Sequence, residues 1–352
     1  MLTPLCLRPA VLVLLFVSSA AFAEKIEPPS ELLGKPTTTI VVADYKEAGP
    51  ANRIVFATVK VLQNQQEVPA LIDIGKPDLR EPLVAGKRYI LAYSPFAEDR
   101  YERIVVSPRG ANFLSSPGIE PGLWDDSAEN QALVMWRIGD EESELERGDE
   151  DARKSRHDTD AAKAAMPRLL KMLSSGDSQH REFAAAEIAY RPALLAELDA
   201  SEQKALQRFV ESDIGPDRSR AALLAAAASM PVGSKPVRGW DTVVTGLLGK
   251  LPVETLVADR RSSLVLAALA YPPTRQRHAD GALQARWLRS DDMGVVEAAA
   301  QALQDMSVDL AKSRIDAAIA DRTLPSDNRS VLEGYQQRLT LMKKVGVNNK
   351  AR

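Results

Sequence analysis

Cysteine and histidine are scarce in this chain of 352 residues, which contains one cysteine, Cys6, and three histidines. A single cysteine cannot form a disulfide framework, so the fold has to be stabilised by its hydrophobic core. His157, His180 and His278 stand among charged neighbours, without H-E-x-x-H or another metal-ligand spacing around them. We therefore expect surface histidines and no metal or other cofactor.

Motifs of nucleophilic and phosphate-handling enzymes are also missing. The chain has no G-x-S-x-G turn, and GLLGK at residues 246–250 lacks the insert and the final serine or threonine of a P-loop. Paired acids such as Asp291 and Asp292 stand at expected helix starts, where capping explains them better than general acid–base catalysis. The sequence therefore predicts a protein that is not an enzyme.

Neither sign of charge dominates, because 45 lysines and arginines are matched by 48 aspartates and glutamates, for a formal net charge of -3. Without a basic excess the chain cannot hold a phosphate backbone strongly, so we expect no nucleic-acid binding. The acids between residues 140 and 151 are dense but lack the ligand spacing and the glycine of an EF-hand loop. This stretch therefore does not predict a calcium site.

The N-terminus has the order of a cleaved secretory signal peptide. Arg8 precedes an apolar run at residues 10–17, and small residues surround Phe22 before the end at Ala23. The run is much shorter than the roughly 20 apolar residues of a membrane-spanning helix, and no later segment is apolar enough either. We expect residues 1–23 to be removed, which leaves a periplasmic or extracellular chain without cysteine and without a membrane span.

Residues 24–138 predict a β-rich module with a helix at its end. The runs TTTIVVADY, RIVFATVKVL, VPALIDI, KRYILAY and RYERIVV are short, rich in β-branched residues and separated by turn-forming residues, which predicts four or five antiparallel strands. Asp126 or Ser127 can cap the helix, which we expect to run through Arg137. Several short strands with one buried face favour a small barrel or sandwich.

The stretch VFATVKVLQNQQEVPALIDI and the following LVAGKRYILAY resemble the netrin-like variant of the OB barrel. In that fold a long bent strand is followed by a strand with Gly-x-x-Tyr, matched here by Gly86 and Tyr89. Inhibitors of that family chelate the metal of their target through an N-terminal cysteine. Glu24, the expected first residue of the mature chain, offers no such ligand. The resemblance therefore implies the fold and not the inhibitory mechanism.

The composition changes after this module. Residues 139–160 contain almost no apolar residue, which predicts a solvated linker or the outer face of a charged helix and allows the two domains to move. From residue 161 alanine, leucine and arginine dominate, and apolar residues recur at intervals of three and four. We expect an all-α domain at residues 161–345 and a disordered tail at residues 346–352.

Four stretches of the helical half can be laid over one another from Asp177, Asp217, Asp259 and Asp291, at intervals close to the ~40 residues of two-helix repeats. Each aspartate is predicted to cap the helix that follows it. An alanine stands eight residues after each of them, which predicts a stripe where helix backbones approach closely.

The last of these stretches, SDDMGVVEAAAQAL, resembles a HEAT repeat, whose first helix follows an Asp-rich turn and carries paired alanines. The early arginine of that repeat is matched by Arg181 and Arg220, whereas valine stands there in the last copy. The resemblance implies a HEAT-like α-solenoid over residues 161–345. An irregular bundle of alanine-rich helices is the alternative.

Arginines on the second helices of the expected pairs are the candidate binding residues. In SEQKALQRFVE and DGALQARWLRS the side away from the apolar stripe presents Arg208, Arg286 and Arg289. Second helices commonly line the concave surface of a solenoid, and arginine suits carboxylate recognition. A solvated helix face is the simpler interpretation of the same residues.

Together these observations favour a non-catalytic protein that binds another envelope protein or a peptide. The rival hypothesis is an envelope hydrolase or glycan-processing protein that holds acids in a groove between the two domains. The positions of the carboxylates distinguish the two: acids gathered in one cleft favour the hydrolase, and acids scattered over helix starts favour binding.

The signal-peptide hypothesis is tested by the N-terminus of the exported protein. We expect N-terminal sequencing and intact mass to place the first residue at Glu24, and a thiol reagent to find no reactive group because Cys6 has been removed. A secreted fraction that still begins at Met1 would contradict the hypothesis.

Overall fold

The computed structural model of the protein describes residues 28–49, 53–64, 67–75, 82–95, 112–114, 122–138, 150–212, 217–229, 239–271 and 280–344. The predicted signal peptide, its cleavage site at Ala23 and the predicted tail lie outside these ranges, as do residues 139–149 of the predicted linker. Within them an antiparallel sheet is followed by a mostly helical part, so the predicted α+β class is confirmed.

One sheet is formed by six strands of the described residues. They are β1 (Thr39–Gly49), β2 (Arg53–Gln63), β3 (Leu71–Gly75), β4 (Arg88–Pro95), β5 (Asn112–Leu114) and β6 (Leu123–Asp125). The strand order is β3-β2-β1-β4-β5, β6 also pairs with β4, and every pairing is antiparallel. β3 and β5, at opposite ends of this order, contact each other without pairing as strands. Helix α1 (Pro29–Gly34) precedes the sheet and α2 (Ala128–Val134) follows it.

Both faces of the sheet carry buried apolar side chains. Phe56 and Leu91 belong to a core on one face, whereas Val42 and Ile90 on the other face join the core of the helical part. Alternate β-branched and aromatic residues pack against both surfaces of a pleated strand in this way. Val59 lies further along β2 and is 45% exposed. The alternation of side chains along the strand places it on the same face as Val55, which is buried. β3 ends its pairing with β2 before that point, at Ala57.

The helical part contains eleven helices within the described ranges. They are α3 (Glu150–Leu173), α4 (Ser178–Ala189), α5 (Pro192–Glu197), α6 (Ala200–Glu211), α7 (Asp217–Ala228), α8 (Trp240–Lys250), α9 (Ser262–Ala270), α10 (Ala282–Arg286), α11 (Met293–Met306), α12 (Val308–Ala320) and α13 (Ser326–Lys344). A 3-10 turn, Trp287–Arg289, continues α10. Because α3 begins at Glu150, the second half of the predicted linker is helical.

Ten of these helices lie in two rows. Helices α3, α6, α8, α10 and α12 form the first row and α4, α7, α9, α11 and α13 the second, and each helix contacts the next one in its row. Across the rows the contacts join α3 to α4, α6 to α7, α8 to α9, α10 to α11 and α12 to α13. Each alanine-rich helix therefore packs against the helix that precedes it. The sequence-based pairing joined it to the helix that follows, a contact that α11 also makes with α12 and that α4 makes with α5.

The predicted alanine stripe is correct for two helices and displaced in two others. Ala185 of α4 and Ala299 of α11 are fully buried. Ala225 of α7 is exposed and Ala267 of α9 is only half-buried. The distance from the aspartate to the helix differs among the stretches, since α4 begins one residue after Asp177 and α9 three residues after Asp259. A count of eight from the aspartate therefore does not determine which face of the helix the alanine lies on. The buried small residues of α7 and α9 are Ala221, Ala226, Ala227 and Ala268.

The last carbonyl groups of the first-row helices accept hydrogen bonds from side chains of other helices. After α3, the Ser175 carbonyl accepts from Nη1 of Arg181 on α4. At the end of α6, the Val210 carbonyl accepts from Nε of Arg220 on α7 at 2.8 Å. The final carbonyls of a helix have no partner within the helix, so each of these arginines satisfies a group that would otherwise be buried unpaired.

The same arrangement recurs in the rest of the array. At the end of α8, Arg286 of α10 donates to the Leu248 and Leu251 carbonyls at 2.6 and 2.7 Å. α13 supplies the last two donors. Its Asn328 donates to the Ser290 carbonyl after the 3-10 turn at 2.8 Å, and its Arg329 donates to the Ile319 and Asp321 carbonyls at the end of α12. All five first-row helices therefore end on a side chain that another helix provides.

Arg220 provides a direct test of this capping. We expect Arg220→Met to lower the free energy of unfolding by about 2–4 kcal/mol, because Arg220 is 1% exposed and its loss leaves the Val210 carbonyl without this donor. Arg218→Met, on the exposed side of the same helix, is the matched control and should change the stability by less than about 0.5 kcal/mol. Urea unfolding followed by circular dichroism measures both, and equal effects would contradict the assigned role.

Candidate functional site

Arg208, one of the three predicted binding residues, lies in a cleft between the C-terminal ends of α3 and α6. The cleft has a volume of about 300 Å³ and is lined by Leu170, Leu173, Ser174, Ala205, Arg208, Phe209 and Ser212. Leu173 and Phe209 are buried at its floor, whereas Ser174 and Arg208 are exposed at its rim. We refer to these seven residues as the Arg208 cleft.

The polar groups of the Arg208 cleft are arranged for recognition. The hydroxyl groups of Ser174 and Ser212 donate to the Leu170 and Phe209 carbonyls, at 3.3 and 2.8 Å. Their protons are engaged, so the two oxygens have only acceptor capacity left for a further hydrogen bond. No described residue pairs with the guanidinium of Arg208, which leaves its donors free.

Arg286 has a structural role, and its role as a binding anchor stays a prediction. Its guanidinium is half-buried, donates to the two carbonyls at the end of α8 and lies 5.2 Å from the centre of the Trp287 ring. Nη1 and Nη2 of Arg286 both donate to carbonyls already. Few N–H groups of the guanidinium are therefore left for the carboxylate of a partner. The sequence predicts only that Arg286 lies on the polar side of its helix. The structure adds the carbonyl acceptors, which belong to the end of α8.

Arg289 lies at the surface, with 55% of its side chain exposed, and pairs with Asp321. The backbone N–H and hydroxyl of Thr323, together with Arg289, hold the pKa of Asp321 below its ordinary value. The structure does not bring the three predicted arginines into one site, because α8 separates α6, which carries Arg208, from α10 and the 3-10 turn. Arg208 is therefore the candidate that keeps a recognition role.

The predicted aspartate caps have four different environments. Asp177 is the N-cap of α4, and its carboxylate accepts from the Gln179 backbone N–H at 2.8 Å. Asp217 is the first residue of α7 and accepts from Nη1 of Arg220 at 2.8 Å. Asp217 therefore helps to orient the arginine that caps α6.

The other two aspartates do not cap the predicted helices. The N-cap of α9 is Arg261, and Asp259 accepts from the Thr255 hydroxyl instead. Asp292, the next residue along, is the N-cap of α11. Asp291 turns back and accepts from the backbone N–H groups of Leu256 and Val257, at 3.0 and 3.2 Å. Both acids accept hydrogen bonds from the turn after α8. The spacing of the aspartates along the sequence does not predict this role.

A buried carboxylate lies at the junction between α1 and the helical part. Glu187 of α4 is fully buried, and it accepts from the backbone N–H and hydroxyl of Ser30 at 2.9 and 2.7 Å. Nε and Nη2 of Arg191 also donate to it, at 3.1 and 2.7 Å, and Nη1 of Arg191 reaches Glu31. Four donors on one buried carboxylate make this junction a structural contact, which we call the Glu187 clasp.

The sheet and the helices also meet through α2. Nε2 of His180 lies 2.9 Å from Oδ1 of Asn130, and the Gln179 side chain donates to the Leu123 carbonyl. His180 is therefore partly buried and hydrogen-bonded, which corrects its prediction as a free surface histidine. The side chain of His157 and all of His278 lie outside the described residues.

Metal-binding groups and membrane-spanning helices were the two features to look for among the described residues. No three histidine, cysteine, aspartate or glutamate side chains of that part of the chain are grouped so that they could hold a metal ion. None of its helices combines the length and the apolar character needed to cross a bilayer.

Comparison with known proteins finds no protein-family model, no curated protein and no solved structure that matches the chain. The geometry of the Arg208 cleft and of the two helix rows is therefore the basis for a functional interpretation.

The different roles of Arg286 and Arg289 can be separated by substitution. We expect Arg286→Met to cost about 1–3 kcal/mol of unfolding free energy, because two carbonyls at the end of α8 lose charged donors. Arg289→Met breaks an exposed ion pair and should cost at most about 1 kcal/mol. Chemical unfolding of the two variants measures the difference, and an Arg286→Met protein as stable as the wild type would refute the structural role.

Proposed function

We propose that the protein is a secreted, non-catalytic scaffold that binds another envelope protein or a peptide through its helical array. The observation that carries the proposal is the Arg208 cleft, where a guanidinium that no described residue pairs with stands above an apolar floor on one row of a two-row array. An apolar surface with a few oriented polar groups is typical of binding sites.

In this proposal the two helix rows form a HEAT-like solenoid. Three features support it: each helix contacts its neighbour in the row, each first-row helix contacts the second-row helix that follows it, and the second row contains the alanine-rich helices. Arg181 and Arg220, the two arginines that match the repeat, are both buried and cap the preceding helix. Solenoids present long surfaces to proteins and peptides.

The sheet is proposed to be an OB-like barrel of the netrin-like kind. β1 pairs with β2 and β4, β4 pairs with β5, and β5 contacts β3, which is the neighbour relation of a five-stranded barrel closed through β3 and β5. The Glu187 clasp and the shared core join this module to the first helices of the array. We propose that the module closes that end of the array.

The chemistry of the carboxylates supports binding over hydrolysis. The rival hypothesis needs a pair of catalytic acids at the junction between the two domains. There Glu187 is buried, and its carboxylate accepts four hydrogen bonds. A general acid or nucleophile has to reach the substrate. Asp177, Asp217, Asp259 and Asp291 serve helix ends and turns. No nucleic-acid partner is proposed, because positive and negative charges nearly balance.

The proposal is tested by capturing the partner. Tagged mature protein is cross-linked in the envelope fraction of its source cells, and captured proteins are identified by mass spectrometry. We expect the wild type to capture a specific envelope protein and Arg208→Glu to lose it, because a carboxylate at this position repels an acidic ligand. Arg218→Glu, an exposed arginine on α7, is the matched control and should capture the partner normally.

Two results would contradict the proposal. Equal capture by the wild type and by Arg208→Glu would show that the Arg208 cleft is not the binding face and would direct attention to the sheet. The absence of any captured protein, together with turnover of an envelope glycan by the purified chain, would favour the hydrolase.

A further inference from the structure

We infer that the Arg208 cleft binds the C-terminal residue of a peptide or protein chain, with its free α-carboxylate on Arg208 and an apolar side chain on the floor. This inference rests on the proposed binding function and specifies the ligand. It follows from three properties of the cleft: its size, its single cation and its acceptors.

The size of the cleft limits what can enter it. A volume of about 300 Å³ stands at the lower end of the range for ligand pockets, so the cleft accommodates one or two residues and not a folded surface. Leu173 and Phe209 are each 6% exposed and form a fixed apolar floor with Leu170 and Ala205. Burial of an apolar side chain on this floor is favourable and selects leucine-like residues over polar ones.

Arg208 determines the charge of the ligand. Its guanidinium is exposed, no described residue pairs with it, and the described lining of the cleft contains no aspartate or glutamate. A planar guanidinium binds a carboxylate through two parallel hydrogen bonds, which a chloride ion or a neutral amide cannot reproduce. For the peptide or protein ligand of the proposed function, the complementary group is therefore a carboxylate close to an apolar side chain.

The two serines determine the remaining polar contact. Their oxygens act as acceptors at the C-terminal ends of α3 and α6, where the partial negative charge of the helix ends favours N–H donors and opposes a carboxylate, so the carboxylate has to lie on the Arg208 side of the cleft. The ligand has to supply N–H donors to them. An amide N–H is enough, and an ammonium group would also need a carboxylate, which the described lining lacks.

The C-terminal residue of a chain carries a carboxylate, an N–H donor and a side chain in the smallest space. The α-carboxylate, the amide N–H and the side chain of a C-terminal residue all stand on one Cα atom. An internal aspartate or glutamate would need a second residue to provide the apolar group, which takes more room than the cleft offers. The C-terminal residue of a chain is therefore the ligand that fits the size, the charge and the acceptors together.

The test uses purified mature protein and four defined probes. These are the peptide acetyl-glycyl-seryl-glycyl-leucine with a free carboxylate, the same peptide as its C-terminal amide, the same peptide ending in serine, and free leucine. Isotope-labelled protein is titrated with each probe to millimolar concentration, and binding is followed from the NMR shifts of backbone amides. We expect the carboxylate peptide to shift amides at the ends of α3 and α6.

Amidation should weaken this binding by roughly tenfold or more, since it removes a charge-assisted pair of hydrogen bonds. Replacing the final leucine by serine should weaken it because the apolar floor is left without a partner. Arg208→Met should bind the carboxylate and the amide alike, and Arg208→Lys should recover only part of the difference because lysine lacks the planar fork. Ala205→Leu, which fills the floor, should reduce binding of both peptides.

Three results would overturn the inference: equal affinity for the carboxylate and the amide in the wild type, tighter binding of free leucine than of the peptide, and no shift by any probe. A failure here is distinguishable from a failure of the proposed function. If cross-linking still captures a partner that Arg208→Glu loses, the cleft binds a protein by other chemistry. If nothing is captured, the binding function itself fails.

Discussion

Satisfying the ends of the first-row helices is the constraint on which the helical part depends. A helix that ends inside a packed array leaves its last carbonyls away from water, and each unpaired group costs free energy comparable to a lost hydrogen bond. Here Arg181, Arg220, Arg286, Asn328 and Arg329 meet that requirement from neighbouring helices. The donors therefore fix how each helix is placed against the next, in addition to the apolar packing between the rows. Two of these donors, Arg181 and Arg220, are buried arginines.

Much of the local structure could be predicted from the sequence, and the long-range contacts could not. Runs of β-branched residues predicted β1 to β4, and intervals of three and four predicted most helices, because these periods reflect which side of an element is buried. The short strands β5 and β6 and helix α1 were not predicted, and the predicted strand RYERIVV lies outside the described residues. The positions of the caps depended on where each helix begins. A count from Asp259 therefore failed when the helix began at Ser262, and Asp291 was displaced as a cap by its neighbour Asp292. One residue is enough to change the function of a capping side chain.

The roles of the candidate site residues also depend on contacts between residues that are distant in the sequence. Arg208 and Arg286 look equivalent in the sequence, since each stands on the polar side of a short amphipathic helix. The structure separates them, because carbonyls of α8 lie within reach of Arg286 and no described residue pairs with Arg208. Those carbonyls belong to residues far earlier in the chain. The Glu187 clasp was equally hidden, since Ser30 and Glu187 come together only when α1 packs on α4.

The origin of the capping donors divides the array into two parts. The ends of α3 and α6 are capped by the helix that follows directly, so the first two pairs of helices contain their own donors. α8 takes its donor from α10, and both α12 and the 3-10 turn after α10 take theirs from α13. The last three pairs are therefore linked in one direction, and removing the final helix would leave two helix ends open at once. The last six helices are therefore connected through their capping donors, from α8 through α10 to α13.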